Sequence, residues 1–386
     1  MLAKKELCVG CGLCSTICPT QCISMQVDDE GFVYPRIDDS RCISCNSCEK
    51  ACPILQITEV SEKSNFLAVK NKNDRIRENS SSGGVFFEIA QKVLERGGVV
   101  CAAGYNNEYS VTHSIARTIE EAHSFCGAKY SQSNFYHCYG EIVERLQRGQ
   151  CVLFTGTPCQ TAALKNNLSE ELREQLVLVD MICHGVPSPK VFEEYLEEQR
   201  RSFAKDSPLK TVNLRDKTTG WSRYSYCVSL QFENGALYQK KQGEDLFMQG
   251  FVNNLYLRPS CENCSFKGVE RCSDITLGDF WGIWDIAPDF DDDKGVSLLM
   301  IHSPKGQEIW ESIREEFWAM NVTEDQAIAQ NPSAVSSSAA HAKRTDFFEM
   351  IKTGSALQDT IRICLYGKSD KTGMLSSIKS KLFKRK

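Results

Sequence analysis

The chain contains no run of about 18 apolar residues long enough to span a bilayer. Its opening residues, Met1-Leu2-Ala3-Lys4-Lys5, carry no apolar core of a secretory leader, and cysteines follow almost at once, so a cytoplasmic location is expected. Charge of one sign is also scarce. Fifty Asp and Glu against 45 Lys and Arg leave a net charge of −5, which argues against a broad nucleic-acid face. No GxGxxG follows a predicted strand, so a nicotinamide site has no support. No solenoid period is present. Composition is otherwise ordinary for a globular protein, 41% hydrophobic and 25% charged, and 386 residues predict two or three domains.

What the chain has in excess is cysteine, 20 in all, nine of them within residues 8–52. In a reducing compartment such clustering points to metal rather than disulfides. Cys8, Cys11, Cys14 and Cys18 form C-x2-C-x2-C-x3-C before Pro19, and Cys42, Cys45, Cys48 and Cys52 repeat it before Pro53. In two-cluster ferredoxins the fourth ligand of each cubane comes from the other run. One 4Fe–4S cluster is therefore expected on Cys8, Cys11, Cys14 and Cys52, and a second on Cys42, Cys45, Cys48 and Cys18. Zinc, which prefers separated CxxC pairs, fits two complete runs poorly. Cys22, just outside the pattern, reads as a small buried apolar residue.

A polar linker is expected over 58–65, and the chain beyond it reads as α/β. A helix is predicted from Val85, capped by Ser81 or Ser82 and ended by Gly97-Gly98. Strands are predicted at 99–103, 151–154 and 176–182. Thr118 opens a helix with a capping box, another helix follows from about Gln160, and Ser188-Pro189 caps a third. Alternation over 209–241, with Asn234-Gly235 as a hairpin turn, adds antiparallel strands. The fold class is α+β: a bacterial-type ferredoxin fold, then an α/β flavin-binding domain with a mixed sheet. The expected division is 1–57, 65–145, 146–320 and a helical, basic tail at 321–386. Within that tail, 368–386 reads as a solvated end, or as an amphipathic helix making at most peripheral membrane contact.

Three stretches carry a family resemblance: Phe154-Thr155-Gly156-Thr157-Pro158-Cys159-Gln160, then Cys183-His184-Gly185-Val186-Pro187-Ser188-Pro189, then Cys261-Glu262-Asn263-Cys264-Ser265-Phe266 continuing to Asp274-Ile275-Thr276-Leu277-Gly278-Asp279-Phe280-Trp281-Gly282. Ser82-Gly83-Gly84, the run from Gly127 through Lys129 to Ser133, and Arg215-Asp216-Lys217 with Gly220-Trp221 add to it. Together they resemble the family of coenzyme F420 hydrogenase/dehydrogenase beta subunits, which includes a plant chlorophyll-derivative reductase. The resemblance implies an iron–sulfur flavoprotein with FAD and a further 4Fe–4S cluster, passing electrons between a reduced carrier and a substrate. It favours Cys159, Cys183, Cys261 and Cys264 as ligands of that cluster, with Cys272 in reserve and zinc as the rival metal.

The residues agree. Cys261-x2-Cys264 is a metal-type pair after Arg258-Pro259, and Cys159 and Cys183 follow predicted strand ends, where α/β folds place their sites. Ser82, Gly83 and Gly84 open a helix, and Thr155, Gly156 and Thr157 link a strand to a helix; both loops suit a flavin pyrophosphate. Lys129 adds a cation for phosphate or flavin, and Ser133 belongs to the same stretch. His184 is the candidate proton shuttle. Lys217 and Trp221 are placed on the substrate side, with packing in a sheet core as the other reading of Trp221. Cys101, Cys126, Cys138, Cys151 and Cys227 read as apolar filler. Asp289, Asp291 and Asp293 mimic a calcium loop, but Lys294 stands at the glycine position and Met300 at the bidentate glutamate position. The functional expectation is electron transfer through clusters to FAD and on to a small-molecule or glycan-precursor substrate. The redox partner is ferredoxin or reduced coenzyme F420, and no nucleic acid is involved. The rivals are a plain electron carrier and a redox sensor.

Overall fold

The computed structural model describes residues 2–56, 58–60 and 64–367. Part of the expected linker and all of the basic 368–386 segment lie outside the described residues.

The N-terminal lobe is built from two copies of one turn. A short helix (Leu13–Thr16) and a second (Ser47–Ala51) each sit inside a cysteine run, and β1 (Ile23–Val27) pairs antiparallel with β2 (Val33–Ile37). Gly10 (φ 68°), Gly12 (φ 79°), Ser44 (φ 56°) and Asn46 (φ 59°) occupy matching places on either side of the second cysteine of each run, all left-handed. That conformation winds three cysteines around one small volume. The two runs solve it differently because their surroundings differ. A Cβ at Gly12 would overlap the Tyr136 ring, and one at Gly10 would fall 2.6 Å from Arg258 Nη1. Residues 41–46 are exposed, so Ser44 and Asn46 hold the same turn with side chains in solvent. The first run is the inner one and the second faces outward.

The body is an eight-stranded mixed sheet. Its strands are β3 (Asn65–Asn71), β4 (Val99–Tyr105), β5 (Val111–Ala116), β6 (Val152–Thr155), β7 (Leu176–Met181), β11 (Ile275–Asp279), β12 (Ser297–Ile301) and β13 (Phe317–Val322). Their order is β13-β3-β12-β11-β7-β6-β4-β5. The four strands β11, β7, β6 and β4 run parallel, and the flanking pairs are antiparallel. Parallel central strands must be covered on both faces, and β6 and β7 read accordingly as unbroken apolar runs, buried from Val152 to Thr155 and from Leu176 to Asp180. The alternating 209–241 region forms a sheet of its own rather than joining the main one: β8 (Leu209–Asp216), β9 (Cys227–Phe232) and β10 (Leu237–Lys241), in the order β10-β9-β8. Strand β3 begins at Asn65, so the expected linker ends one residue earlier than predicted.

Helix starts show which local signals hold. Ser188 accepts from Val191 N–H at the head of Pro189–Ser202, and Thr118 accepts from Glu121 N–H at Ile119–His123, as their sequences predict. Val85–Glu95 is different. Its cap is Gly84 (φ 90°), because the Ser82 hydroxyl is drawn away to the carbonyl of Val296 at 2.9 Å. Gly83 serves this docking too: a Cβ there would sit 2.5 Å from the Val69 carbonyl, and its N–H donates to Ser297 Oγ.

One side chain fastens the lobe to the body. Arg258, 1% exposed, donates from Nε to the Cys8 carbonyl, from Nη1 to Gln132 Oε1 and from Nη2 to the Val33 carbonyl, and lies 4.3 Å from the Tyr34 ring centroid. Arg344 pairs with Glu30, and Ser188 Oγ donates to the Glu30 carbonyl. The close fit at Gly12 gives a test. Gly12→Ala is expected to cost at least about 2 kcal/mol, combining left-handed strain with the overlap on Tyr136, whereas Asn46→Ala costs under about 1 kcal/mol because only the backbone term applies. Thermal midpoints of the two iron-loaded variants measure the difference.

Candidate functional site

The C-terminal ends of β4, β6, β7 and β11 open into a cavity of about 660 Å³, the position where open α/β sheets hold their ligands. Its wall includes Ser82, Gly84, Lys129, Ser133, Thr155, Gly156, Thr157 and His184. Cys159, Cys183, Cys261 and Cys264 line one side, and Val9, next to Cys8, reaches the same wall. Burial and the other three thiols push Cys159 up, and burial and its neighbours hold Cys183 at about 12. Four thiolates could not coexist bare in such a place, so the groups stay neutral thiols unless a positively charged centre binds them. Cys272 stands apart, near Thr161 and Asp180.

The N-terminal thiols fall into two groups. Cys14 sits among Cys11, Cys8 and Cys52, and burial followed by those neighbours raises it. Cys18, Cys42, Cys45 and Cys48 surround a second space of about 110 Å³, together with Cys22, whose sulfur lies 3.4 Å from that of Cys18. Cys22 is therefore buried, as expected, but beside the metal-type cysteines. Among the described residues no three His, Cys, Asp or Glu side chains stand close enough to hold one ion between them.

Several expected residues reach the cavity with their polar atoms already engaged. Lys129 Nζ donates to the carbonyls of Phe125 (2.7 Å), Cys126 (2.8 Å) and Gly127 (3.2 Å), and burial holds it down at about 8. Its three protons hold the 125–127 turn in place. His184 bonds Asn254 Oδ1 through Nε2 at 2.6 Å and meets Ser333 Oγ through Nδ1 at 3.4 Å, so both nitrogens brace neighbouring loops. Gln160 accepts from Thr157 N–H and donates to the Ser133 carbonyl, tying two wall loops together. Two expectations need correction. Gly83 faces its own sheet, not the cavity. Lys217 gives its Nζ to the carbonyls of Arg77, Ser82 and Lys294. Trp221 is fully buried against Trp281, with ring centroids 5.0 Å apart, and takes the packed role of its two readings. Cys126, read as filler, lies on the cavity wall. Of the failed calcium loop's aspartates, Asp293 Oδ1 accepts from the Trp221 and Ser222 N–H groups and Asp291 Oδ1 from that of Asp293, while the neighbouring Asp292 pairs with Arg77.

The sequence missed a polar ring around the cavity. Arg215, 4% exposed, pairs with Asp279 at 3.1 Å and lies over the rings of Tyr226 (4.1 Å) and Trp281 (5.0 Å). Its Nε has no partner, nor do Arg223 Nε, His113 Nδ1 and Asp180 Oδ2. All four residues line the cavity. These four atoms are buried behind the cavity wall rather than open to it.

Residues 149–325 match the family model for the C terminus of the coenzyme F420 hydrogenase/dehydrogenase beta subunit, residues 66–137 match the model for its N-terminal part, and residues 7–54 match a 4Fe-4S dicluster domain. The chain belongs to the family of coenzyme F420 hydrogenase/dehydrogenase beta subunits. It is thereby an iron–sulfur oxidoreductase. The F component of the F(420)H(2) dehydrogenase of Methanosarcina mazei is 22% identical over 342 residues, which are 83% of this chain and 86% of that protein. The I component of the NADH-quinone oxidoreductase of Pelobacter propionicus is 36% identical over 77 residues, covering 18% of this chain and 41% of its own length. A chain of the xenon-derivatised F420-reducing NiFe hydrogenase complex from Methanosarcina barkeri superposes with a TM-score of 0.48 at 17% identity, over 70% of this chain and 87% of that one. In this member of the beta-subunit group, no described helix is long and apolar enough to cross a membrane.

Asp180 supplies a pH test. Burial, opposed by Arg271, Thr276 and Ser273, raises its carboxyl to about 6. A carboxyl raised on folding favours the folded state only while protonated, so this contribution is lost as pH climbs from about 4 to about 6. At pH 7.5 the ionised Asp180 then costs about 3 kcal/mol. Asp180→Asn is expected to raise the thermal midpoint at pH 7.5 and leave it unchanged at pH 4.

Proposed function

We propose that the chain is an iron–sulfur flavoprotein oxidoreductase of the cytoplasm, in which three 4Fe–4S clusters exchange electrons with FAD bound in the large cavity. The observation that carries the reading is a single cavity joining four half-buried cysteines to the Ser82 and Thr155 loops, with the inner ferredoxin loop at its wall. The outer cluster uses Cys18, Cys42, Cys45 and Cys48, the inner one Cys8, Cys11, Cys14 and Cys52, and the third Cys159, Cys183, Cys261 and Cys264. Exposure of 41–46 makes the outer cluster the port for a redox partner. Ferredoxin or reduced coenzyme F420 fills that role, and the Methanosarcina mazei relative is by its name one component of a larger enzyme.

FAD exchanges one electron at a time with clusters and two with an organic substrate. The chain's own residues bind and orient it. The Thr155-Gly156-Thr157 loop at the head of helix Pro158–Asn166 shapes the wall there, its Gly156 N–H held by the Val179 carbonyl and its Thr157 N–H by Gln160 Oε1. Ser82 and Gly84 shape the adjoining wall. Lys129 and Gln160 hold these loops in register through the carbonyls of 125–127 and Ser133. Arg215, Arg223 and Trp281 present cationic and aromatic surface to an anionic, planar substrate.

Iron, acid-labile sulfide and flavin in anaerobically purified protein test the reading. About 12 iron per chain with one flavin is expected; about 8 iron without flavin would leave a two-cluster carrier. In Cys261→Ala with Cys264→Ala, about four iron should disappear while the ferredoxin signal stays. Retention of all iron in that variant would sink the third-cluster assignment.

A further inference from the structure

The two cysteine runs repeat one pattern, so residues at matching places can be compared directly: Cys8 answers to Cys42, and Cys18 to Cys52. The backbone treats both copies alike. Two N–H groups face the last cysteine of each run, those of Thr20 and Cys22 at Cys18 and those of Ile54 and Leu55 at Cys52. The second cysteine of each run meets the N–H two residues on, that of Leu13 at Cys11 and that of Ser47 at Cys45.

The side chains break the symmetry. Cys18 Sγ lies 3.7 Å from the Thr20 hydroxyl and 3.4 Å from Cys22 Sγ, and Cys45 Sγ lies 3.4 Å from the Ser47 hydroxyl. Thr20, Cys22 and Ser47 all border the space of about 110 Å³ that Cys18, Cys42, Cys45 and Cys48 surround. At the matching places of the other copy stand Ile54, Gln56 and Leu13. Ile54 and Leu13 have no side-chain donor, and Gln56 turns its amide to the Glu49 carbonyl at 3.3 Å. The inner thiols have a cation beside them instead: the Arg258 guanidinium is bonded to the Cys8 carbonyl and faces Cys11. A thiolate that holds iron can only accept. The hydroxyls of Thr20 and Ser47 must then donate to Cys18 and Cys45, and Cys22, which lies outside both runs and keeps its proton, must donate as well. Cys22 also faces Cys42, so either acceptor it chooses belongs to the same set of ligands.

We infer that Thr20, Cys22 and Ser47 tune the outer cluster, raising its reduction potential through hydrogen bonds to ligand sulfurs that the inner cluster does not receive from its own side chains. The inference rests on the division of ligands proposed above. Reduction brings one electron from the redox partner; no bond is made or broken, and the three donors keep their protons. The added charge spreads onto the ligand sulfurs, so a donor aimed at them holds the reduced form more strongly than the oxidised one. Exposure of 41–46 to water acts in the same direction. Arg258 does by charge for the inner cluster what two hydroxyls and a thiol do for the outer. The two potentials are therefore set by separate residues and can be changed one at a time.

The test is a redox titration of the iron-loaded full chain followed by electron paramagnetic resonance. The outer cluster is identified as the one whose relaxation a soluble dysprosium chelate speeds. Thr20→Val should lower the outer midpoint, so that at a fixed potential the ratio of reduced to oxidised outer cluster falls at least about threefold, with the inner midpoint unmoved. Ser47→Ala should do the same, and the two changes together should shift the midpoint further than either. Thr20→Ser should keep the wild-type midpoint, which a packing role for the threonine methyl would not. Cys22→Ala should give a smaller shift in the same direction, since a thiol is a weak donor, and should retain all iron. A second readout is the iron–thiolate stretching band in resonance Raman spectra: it should move on transfer to D2O, and move less in the Thr20→Val, Ser47→Ala double variant. Should Thr20→Val fail to hold the outer cluster, Ser47→Ala and Cys22→Ala carry the same test at separate bonds. Unmoved outer midpoints with both clusters present would overturn the tuning alone. Loss of about four iron from Cys22→Ala would make Cys22 a ligand and end its part as a donor. A wild-type chain with a single ferredoxin-type cluster would overturn the division of ligands, and the tuning with it.

Discussion

The buried guanidinium of Arg258 is the constraint on which the rest of the molecule depends. Three of its N–H groups go to the Cys8 carbonyl, the Val33 carbonyl and Gln132 Oε1, so one planar fork fixes the inner cysteine loop, the lobe's hairpin and the cavity loop that includes Lys129. It lies directly before Pro259 and the Cys261 turn, which the same placement anchors. A lysine could not serve, because a point charge cannot reach three acceptors in one plane. The choice of glycine at position 10 follows from it, since the guanidinium occupies the space a Cβ would need. Its charge also stands near Cys8 and Cys11, where metal thiolates concentrate negative charge.

Around that anchor the body is organised by carbonyl oxygens rather than by ion pairs. Lys129 and Lys217 each place an ammonium among three backbone carbonyls, and Lys267 does the same with those of Cys183 and Ser333. A buried lysine satisfied in this way costs much of its solvation, and burial accordingly pulls Lys217 down to about 7. What it gains is irregular backbone held firmly beside a cavity. This is why the cavity wall can consist of loops and still present a fixed surface. Arg215 on the same wall is held instead by a carboxylate, Asp279, and Arg223 by the Gln330 side chain.

Legibility in the sequence followed the range of the interactions. The cysteine runs, the Ser188 and Thr118 caps and the Asn234-Gly235 turn depend on neighbours within a few residues, and they stand where expected. The third group of thiols was readable because strand ends place Cys159 and Cys183 near one another, although only the fold separates Cys272 from them. Arg215 with Asp279, Arg258 with Cys8, and Asp180 with Thr276 and His302 were invisible. Their partners lie 64, 250, 96 and 26 residues away, and no local pattern marks such pairs. The mistaken cap at Ser82 has the same origin: a hydroxyl that local rules assign to its own helix was claimed by Val296, 214 residues on. A buried arginine directly before a CxxC pair, and an aspartate closing an apolar strand, were the signals available to find two of these residues.

The position of β3 bears on how the protein is made. It is the first strand of the body, yet it sits between β12 and β13, the last two, and residues 66–69 are buried on both faces. During synthesis this apolar segment waits for more than two hundred residues before either neighbour exists, and non-local pairing of that kind closes slowly. The N-terminal lobe, whose hairpin and cysteine turns are local, is complete long before. The lobe's local turns can thus form before the sheet closes, although the Arg258 bonds to the Cys8 and Val33 carbonyls come only with the later chain.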